Sequence, residues 1–292
     1  MTIAHPRERG RIAMALKDLL VVVDDTAAAS ARIDAAAQLA ARTDSHITGL
    51  YPIIPLTLPG YVEAELPDEV RAMQRGFTES QTAKAEALFA DAVRRNGLTD
   101  RSEWRGLYGH PMDTAALHGR YADVVVVGQA DPHRDRDHPI VLPQDLVFEC
   151  GRPLLVVPYA GNFPHIGERV LVAWNGSREA ARAVADAMPI LTAAKRVVVM
   201  AVNPKSGPAG IGDEPGADIA KHLSRHGCRV EATHIVTDQI DPGDTLLNTV
   251  ADESCDLLVM GAYGRSRLRE QVLGGMTRYM LEHMTVPVLM SH

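Results

Sequence analysis

The sequence contains one pattern of strands and helices twice, and this internal repeat limits the possible fold more than any other feature. An apolar run at residues 19–23 leads into an alanine-rich helical segment, and residues 168–191 repeat that order. Further along each copy, residues 110–122 correspond to residues 241–253, and both segments carry the pattern P-x-D-T. The first copy is the longer one. The repeat predicts two related structural units joined in tandem.

Within each copy, short apolar runs alternate with amphipathic helical segments, which predicts an α/β fold with a parallel sheet and right-handed crossovers. The composition agrees, because 46% of the residues are hydrophobic but only 4% are aromatic. Aliphatic and alanine side chains suit buried parallel strands covered by helices. Ligands of such sheets bind beyond the carboxyl ends of the strands. The residues that follow strands, Asp24, Gly128, Asn175 and Gly261, are therefore the first candidates for a site.

The pattern also predicts the boundaries of the units. Residues 1–16 are expected to form an N-terminal tail, residues 17–160 the first domain and residues 166–292 the second. Turn-forming residues cluster at the joint between them, around residues 161–167.

Charge and composition exclude several classes of protein. The formal net charge of −7 argues against a nucleic-acid-binding protein. No apolar run is long enough to cross a membrane, and no signal-peptide core is present, so a cytoplasmic location is expected. The three cysteines have no metal-binding spacing and lie beside apolar segments, which predicts buried free thiols. No metal ligand is predicted.

A glycine-rich stretch in the second copy is the strongest functional signal. A strand ends at Gly261, Gly264 follows, and nine residues later the pair Gly274-Gly275 precedes a helical segment. Glycines allow close approach of the backbone to a ligand, and the free N–H groups at a helix start favour an anion such as phosphate. Four arginines surround the glycines in this acidic chain: Arg265, Arg267, Arg269 and Arg278. The alternative is that these glycines only form turns and the arginines a solvated face.

With these residues in place, the sequence resembles a tandem member of the universal stress protein family. The spacing of Gly261, Gly264, Gly274 and Gly275 is similar to the family's nucleotide loop G-x2-G-x9-G-[S/T], with Gly275 at the position of the hydroxyl residue. The resemblance implies two tandem Rossmann-like domains, each a five-stranded parallel sheet flanked by helices. It also implies binding of ATP, alone or with Mg²⁺, and a tendency to form dimers.

The resemblance further implies which residues contact the nucleotide. Asn175 stands at the family's acidic position after the first strand, where its amide both accepts and donates hydrogen bonds. Val202 falls at the adenine contact. The phosphate loop would be formed by Gly261, Gly264, Arg265, Gly274, Gly275, Met276 and Thr277. Gly275 lacks a phosphate-binding hydroxyl, and Thr277 offers an alternative one.

The first copy departs from this pattern. Asp131 stands where Gly264 stands in the second copy, and Ile140, Val141 and Pro143 replace Gly274, Gly275 and Thr277. A carboxylate repels phosphate, and β-branched residues block close approach of the backbone. We therefore predict that the first half does not bind ATP in this manner. We expect it to complete an internal pseudo-dimer, with its final apolar strand facing the final strand of the second half.

These observations favour a stress-response protein that binds an adenine nucleotide in its C-terminal domain and acts as a regulatory or signalling module. Two alternatives stay open. One is a nucleotide-free interaction protein in which the glycine loop is a relic, with an unknown protein partner. The other is a slow ATP hydrolase, for which the sequence offers no catalytic residue. A homodimer is a further possibility.

Overall fold

The structure is a computed structural model of the 292-residue chain. It describes residues 15–54, 67–132, 141–204, 213–264 and 275–292. The expected N-terminal tail therefore lies almost wholly outside the described residues. Of the residues named above, Ile140, Arg265, Arg267, Arg269 and Gly274 also lie outside them.

A single ten-stranded sheet forms the centre of the molecule. Its strands, in chain order, are β1 (Asp18–Val22), β2 (His46–Ile53), β3 (Ser102–Tyr108), β4 (Val124–Gly128), β5 (Leu154–Val157), β6 (Arg169–Ala173), β7 (Arg196–Val202), β8 (Val230–Ile235), β9 (Leu257–Gly261) and β10 (Val288–Ser291).

Eight α-helices of the described part of the chain flank the sheet. They are α1 (Ala29–Thr43), α2 (Asp68–Arg95), α3 (Pro111–Gly119), α4 (Pro143–Glu149), α5 (Arg178–Ala193), α6 (Ala217–Arg225), α7 (Pro242–Asp252) and α8 (Gly275–His283). Helices α1, α2, α5 and α6 pack on one face of the sheet, and α3, α4, α7 and α8 pack on the other.

The strand order shows the repeat directly. Across the sheet the order is β3-β2-β1-β4-β5-β10-β9-β6-β7-β8, so each half has the same order read from opposite edges. Pairing within each half is parallel, and the halves join through the antiparallel pair β5–β10, with Val156 opposite Val288 and Leu155 opposite Leu289. The predicted α/β fold and the predicted facing of the two final strands are confirmed.

Small and aliphatic side chains explain the packing. All four residues of β5 are buried, which a strand at the centre of a three-layer structure requires. Alanines on α1 and α5, such as Ala36 and Ala187, let these helices approach the sheet closely. The three cysteines are also buried, and burial raises the pKa of Cys255 to about 11.

The extra length of the first copy forms helix α2, which has 28 residues, whereas α6 in the second half has nine. Phe89 of α2 packs on Trp104 of the edge strand β3, with ring centroids 5.6 Å apart. The other edge strand, β8, is mostly exposed. The two halves therefore differ in the length of the helix beside their outer strand. No helix in the described ranges is both long and apolar enough to cross a membrane.

Candidate functional site

The described residues of the expected nucleotide site lie at one edge of the sheet. Strands β9, β6 and β7 are parallel neighbours. Gly261 ends β9, Asn175 follows the end of β6, and Val202 ends β7. The topology thus brings three segments that are far apart in the sequence to the carboxyl edge of the second half. Arg265 and Gly274, two further residues of the expected site, lie outside the described residues.

Gly261 is required by the helix that lies over it. A Cβ atom at this position would lie 2.5 Å from the backbone nitrogen of Ala180 and 2.5 Å from the carbonyl carbon of Glu179. Ser177 caps that helix, α5, because its Oγ accepts a hydrogen bond from the Ala180 amide at 3.1 Å. The start of α5 is therefore held directly against the end of β9.

A side-chain hydrogen bond joins the two ends of the glycine loop. The backbone N–H of Tyr263 donates to Oγ1 of Thr277 over 3.1 Å. Tyr263 has a positive φ of 53°, an uncommon backbone conformation for a non-glycine residue, and Thr277 is only 3% exposed. The Thr277 hydroxyl thus fixes the segment after β9 to the first turn of α8.

Helix α8 is held in turn by helix α7. The ring of Tyr279 lies over Gly243, where a Cβ atom would overlap it. The Tyr279 hydroxyl donates a hydrogen bond to Asp244, and this bond to the carboxylate, helped by burial, raises the pKa of Tyr279 to about 12. Arg278, one of the four arginines noted in the sequence, pairs with Glu282 along α8 at 2.7 Å.

The residues expected on the nucleoside side occupy ordered turns. Oδ1 of Asn175 accepts a hydrogen bond from the Ser177 amide at 3.0 Å, which closes the turn before α5. Val202 is half-buried at the end of β7, and the next residue, Asn203, accepts a bond from the Thr237 amide at 2.8 Å. The Asn175 oxygen is therefore already engaged with the protein backbone.

Sequence reasoning missed Glu179. This residue is 3% exposed, and its Oε2 is buried with no hydrogen-bond partner. Oε2 lies 4.0 Å from the place that a Cβ atom of Gly264 would occupy. Burial acts to raise the pKa of Glu179, but the Arg178 guanidinium at 2.5 Å and hydrogen bonds at the helix start hold that pKa below its ordinary value. The sequence feature that could have revealed Glu179 is an acidic residue in the first turn of the helix that follows Asn175.

In the first half, a cavity of about 300 Å³ opens at the same edge of the sheet. Asp131 and Val141, which replace glycines of the loop pattern, both line it. At its floor the Arg32 guanidinium lies over Gly128 and pairs with Asp24 at 2.8 Å. Burial opposes ionisation of Asp24, yet Arg32 and the Thr26 hydrogen bonds hold its pKa below the ordinary value.

The model of the universal stress protein family matches residues 167–292, which carry the glycine loop and every described residue of the expected site. This chain contains a universal stress protein domain in residues 167–292. The family match covers its second half, and the first half repeats the strand order of that half. A search of curated proteins found no match.

Solved structures share the fold of this chain over both halves. A universal stress protein from Archaeoglobus fulgidus DSM 4304 is 14% identical, with a TM-score of 0.71, over 94% of this chain and 95% of its own. A protein from Pseudomonas aeruginosa UCBPP-PA14 described as a universal stress protein is 16% identical, with a TM-score of 0.59, over 95% and 93%. A functionally unknown protein from P. aeruginosa PAO1 is 16% identical, with a TM-score of 0.55, over 95% and 92%. At these identities the likeness shows the fold alone.

The two halves differ in the residue that lies beside the glycine at the end of the fourth strand of each half. The guanidinium of Arg32 lies over Gly128, whereas the backbone and Cβ of Glu179 lie against Gly261 and its carboxylate lies near Gly264. Each of these side chains comes from the helix that follows the first strand of its half. Among the described residues, no group of three or more His, Cys, Asp or Glu side chains is placed to hold a metal ion.

Proposed function

We propose that the second half binds an adenine nucleotide and that the protein is a regulatory module of the stress response. The observation that carries the proposal is the hydrogen bond between the Tyr263 amide and the Thr277 hydroxyl. It brings the segment Gly261–Gly264 against the start of helix α8, which is the arrangement that a phosphate-binding glycine loop requires.

The start of helix α8 favours an anionic ligand beside this loop. Helix α8 directs the positive end of its dipole toward the loop, and its first residues, Gly275 and Met276, present backbone N–H groups. Asn175 and Val202 lie at the ends of the neighbouring strands β6 and β7, where an adenine nucleoside would extend from the loop. The negative charge of Glu179 would repel a phosphate group that has no bound metal ion, so we expect Mg²⁺ to accompany ATP.

Calorimetric titration of ATP with Mg²⁺ into the chain and into a Gly264→Asp variant tests the proposal. The substitution copies Asp131 of the first half and places a second carboxylate close to Glu179. We expect one ATP per chain with micromolar affinity, and loss of binding in the variant. A Gly76→Asp variant, altered on helix α2 of the first half, is the matched control that leaves binding unchanged.

Two other outcomes favour the alternatives. If the chain binds no ATP, the nucleotide-free interaction protein becomes the better hypothesis, and a protein partner is the next target. If binding survives Gly264→Asp, the nucleotide occupies a different site. Hydrolysis is expected to be slow, because the pKa of Glu179 is lowered and a lowered pKa makes a poor general base. Release of inorganic phosphate from bound ATP measures it.

A further inference from the structure

Helix α6 carries two exposed histidines at its C-terminal end. His222 lies in the last turn, and His226, four residues later, is the residue that caps the helix. This spacing places both side chains on the same face of the helix. Because α6 leads into β8, its C-terminal end lies at the amino edge of the sheet, opposite the edge that carries the expected nucleotide site. The pair therefore has no part in the proposed function.

The distance between the two rings fits joint binding of one metal ion. The ring centroids of His222 and His226 lie 4.7 Å apart. An imidazole nitrogen binds Zn²⁺ at about 2.0–2.1 Å, so each ring centre would lie about 3.2 Å from a shared ion. For angles of about 90–110° at the metal, the two ring centres should then be about 4.5–5.3 Å apart. The observed separation falls in this interval, and the ring planes are inclined by 56°, which is not a stacked arrangement.

The backbone that carries the pair is held in place. Gly227 follows His226 with a positive φ of 92°, the left-handed conformation that commonly ends a helix. Its amide donates to the Ser224 carbonyl over 2.9 Å, and the Cys228 amide donates to the Leu223 carbonyl over 3.1 Å. Leu223 is fully buried and anchors the last turn to the core. A metal ion would thus meet two ligands whose backbone is already ordered, which lowers the entropic cost of binding.

The end of the helix also favours a cation. The negative end of the α6 dipole and its last carbonyl groups lie beside the pair, and both attract positive charge. Lys221 and Arg225 precede the two histidines and repel a cation, but both are exposed, so water and salt screen their charges. Imidazole binds a metal ion in its neutral form, so the two ligands themselves add no repulsion.

The nitrogen ligands determine the class of metal. Imidazole suits Zn²⁺, Cu²⁺ and Ni²⁺, whereas Mg²⁺ and Ca²⁺ take oxygen ligands. Within the described ranges, no third His, Cys, Asp or Glu side chain joins the pair to make a three-ligand group. Water must therefore complete the coordination, and the site is open to solvent.

We propose that His222 and His226 form a surface site for one divalent transition-metal ion, such as Zn²⁺ or Ni²⁺, with water in the remaining positions. The inference does not depend on nucleotide binding in the second half. The ion is also distinct in class and location from the Mg²⁺ expected to accompany ATP.

Calorimetric titration of Ni²⁺ and of Zn²⁺ into the untagged full-length chain, without nucleotide, tests the proposal. His222→Asn removes one of the two ligands. A double variant, His222→Asn with Ser224→His, restores the number of histidines but spaces them two residues apart, where side chains of a helix do not face each other. His165→Asn is the matched control, because this histidine is 66% exposed and lies outside α6. Circular dichroism establishes that all variants fold.

We expect one ion per chain at this site, and His222→Asn should weaken its binding by about tenfold or more, because a second tethered ligand binds as an intramolecular group. The double variant should bind as weakly as His222→Asn, and His165→Asn should bind like the wild type. Excess Mg²⁺ should not displace the ion.

Three results would overturn the proposal. The first is a wild-type chain that binds neither Ni²⁺ nor Zn²⁺. The second is a folded His222→Asn variant that binds both ions as tightly as the wild type. The third is recovery of wild-type affinity by the double variant, which would show that the spacing of the histidines does not matter. Displacement of the bound ion by Mg²⁺ would also contradict a site made of nitrogen ligands.

Discussion

The side-chain nitrogen of Gln129 lies 2.8 Å from the carbonyl oxygen of Leu281, so the loop after β4 in the first half is bonded to the last helix of the second half. The same nitrogen lies 3.3 Å from the Glu282 carbonyl, and the Gln129 oxygen accepts a bond from the Tyr159 amide at 3.2 Å. Gln129 also lines the cavity of the first half. Helix α8, which begins next to the glycine loop of the second half, is therefore attached near its end to a residue that lines the cavity of the first half.

Replacing Gln129 by methionine keeps the size of this side chain but removes all three hydrogen bonds. Because the residue is buried, the groups left without a partner cost about 1–3 kcal/mol in the free energy of unfolding. Urea denaturation measures the loss. Gln239→Met, at an exposed loop position, is the control and should change stability by less than about 0.5 kcal/mol. Equal effects of the two substitutions would contradict a joining role for Gln129.

Glu179→Gln tests whether the buried carboxylate makes nucleotide binding depend on a metal ion. Without Mg²⁺, removal of the negative charge beside Gly264 should tighten ATP binding by about tenfold, because the carboxylate repels phosphate. With Mg²⁺ this advantage should shrink, since the cation offsets that repulsion. Calorimetry with EDTA and with Mg²⁺ gives both values.

The control for Glu179→Gln is Glu231→Gln, which removes the same charge from the exposed edge strand β8. It should not alter ATP affinity under either condition. If Glu179→Gln has the same effect on affinity with and without Mg²⁺, the carboxylate does not govern the metal dependence.

Two glycine-to-alanine substitutions should change stability in opposite directions. At Gly261 the new methyl group would lie 2.5 Å from backbone atoms of Glu179 and Ala180, so helix α5 must shift, at a cost of about 1–3 kcal/mol. At Gly76, inside helix α2, a Cβ atom meets nothing within 4 Å among the described residues, and the higher helix propensity of alanine should stabilise by about 0.5–1 kcal/mol. Thermal melting distinguishes the two, and a neutral Gly261→Ala variant would rule out the close approach of α5.

Asp24→Asn should destabilise the first half in a pH-dependent way. Neutralising this partner leaves Arg32 buried without its counter-ion, which costs about 2–3 kcal/mol at pH 7, less than for a fully buried pair because Asp24 is partly exposed. The pKa of Asp24 is lowered in the folded state, so its contribution is fully present above the ordinary value near 4. That contribution is lost as the pH falls through the lower folded-state pKa.

Urea denaturation of both proteins at pH 7 and near pH 3 checks this dependence, and the difference between them should be smaller at the lower pH. The reverse exchange, Asn175→Asp, is the matched control, because Asn175 is exposed and its oxygen already accepts from the Ser177 amide. It should change stability by less than about 0.5 kcal/mol. A constant difference between wild type and Asp24→Asn across this range would mean that Asp24 does not stabilise through its charge.

The sequence by itself determined the repeated order of strands and helices and the parallel sheet of each half. These features depend on the periodicity of apolar residues and on turn residues, both of which can be read from short stretches of sequence. The position of Gly261 at the end of a buried strand could be predicted for the same reason. The contacts of the site residues could not be predicted from the sequence.

Only the tertiary structure decided which side chains lie together at the carboxyl edge of the sheet. Thr277 meets Tyr263, Glu179 turns toward Gly264, and Arg32 covers Gly128 because elements distant in the sequence are packed together. The cavity of the first half has the same origin, since α2, β2 and the loop after β4 enclose it jointly. Burial, charge compensation and cavity volume are properties of packing between elements, and no local pattern of residues encodes them.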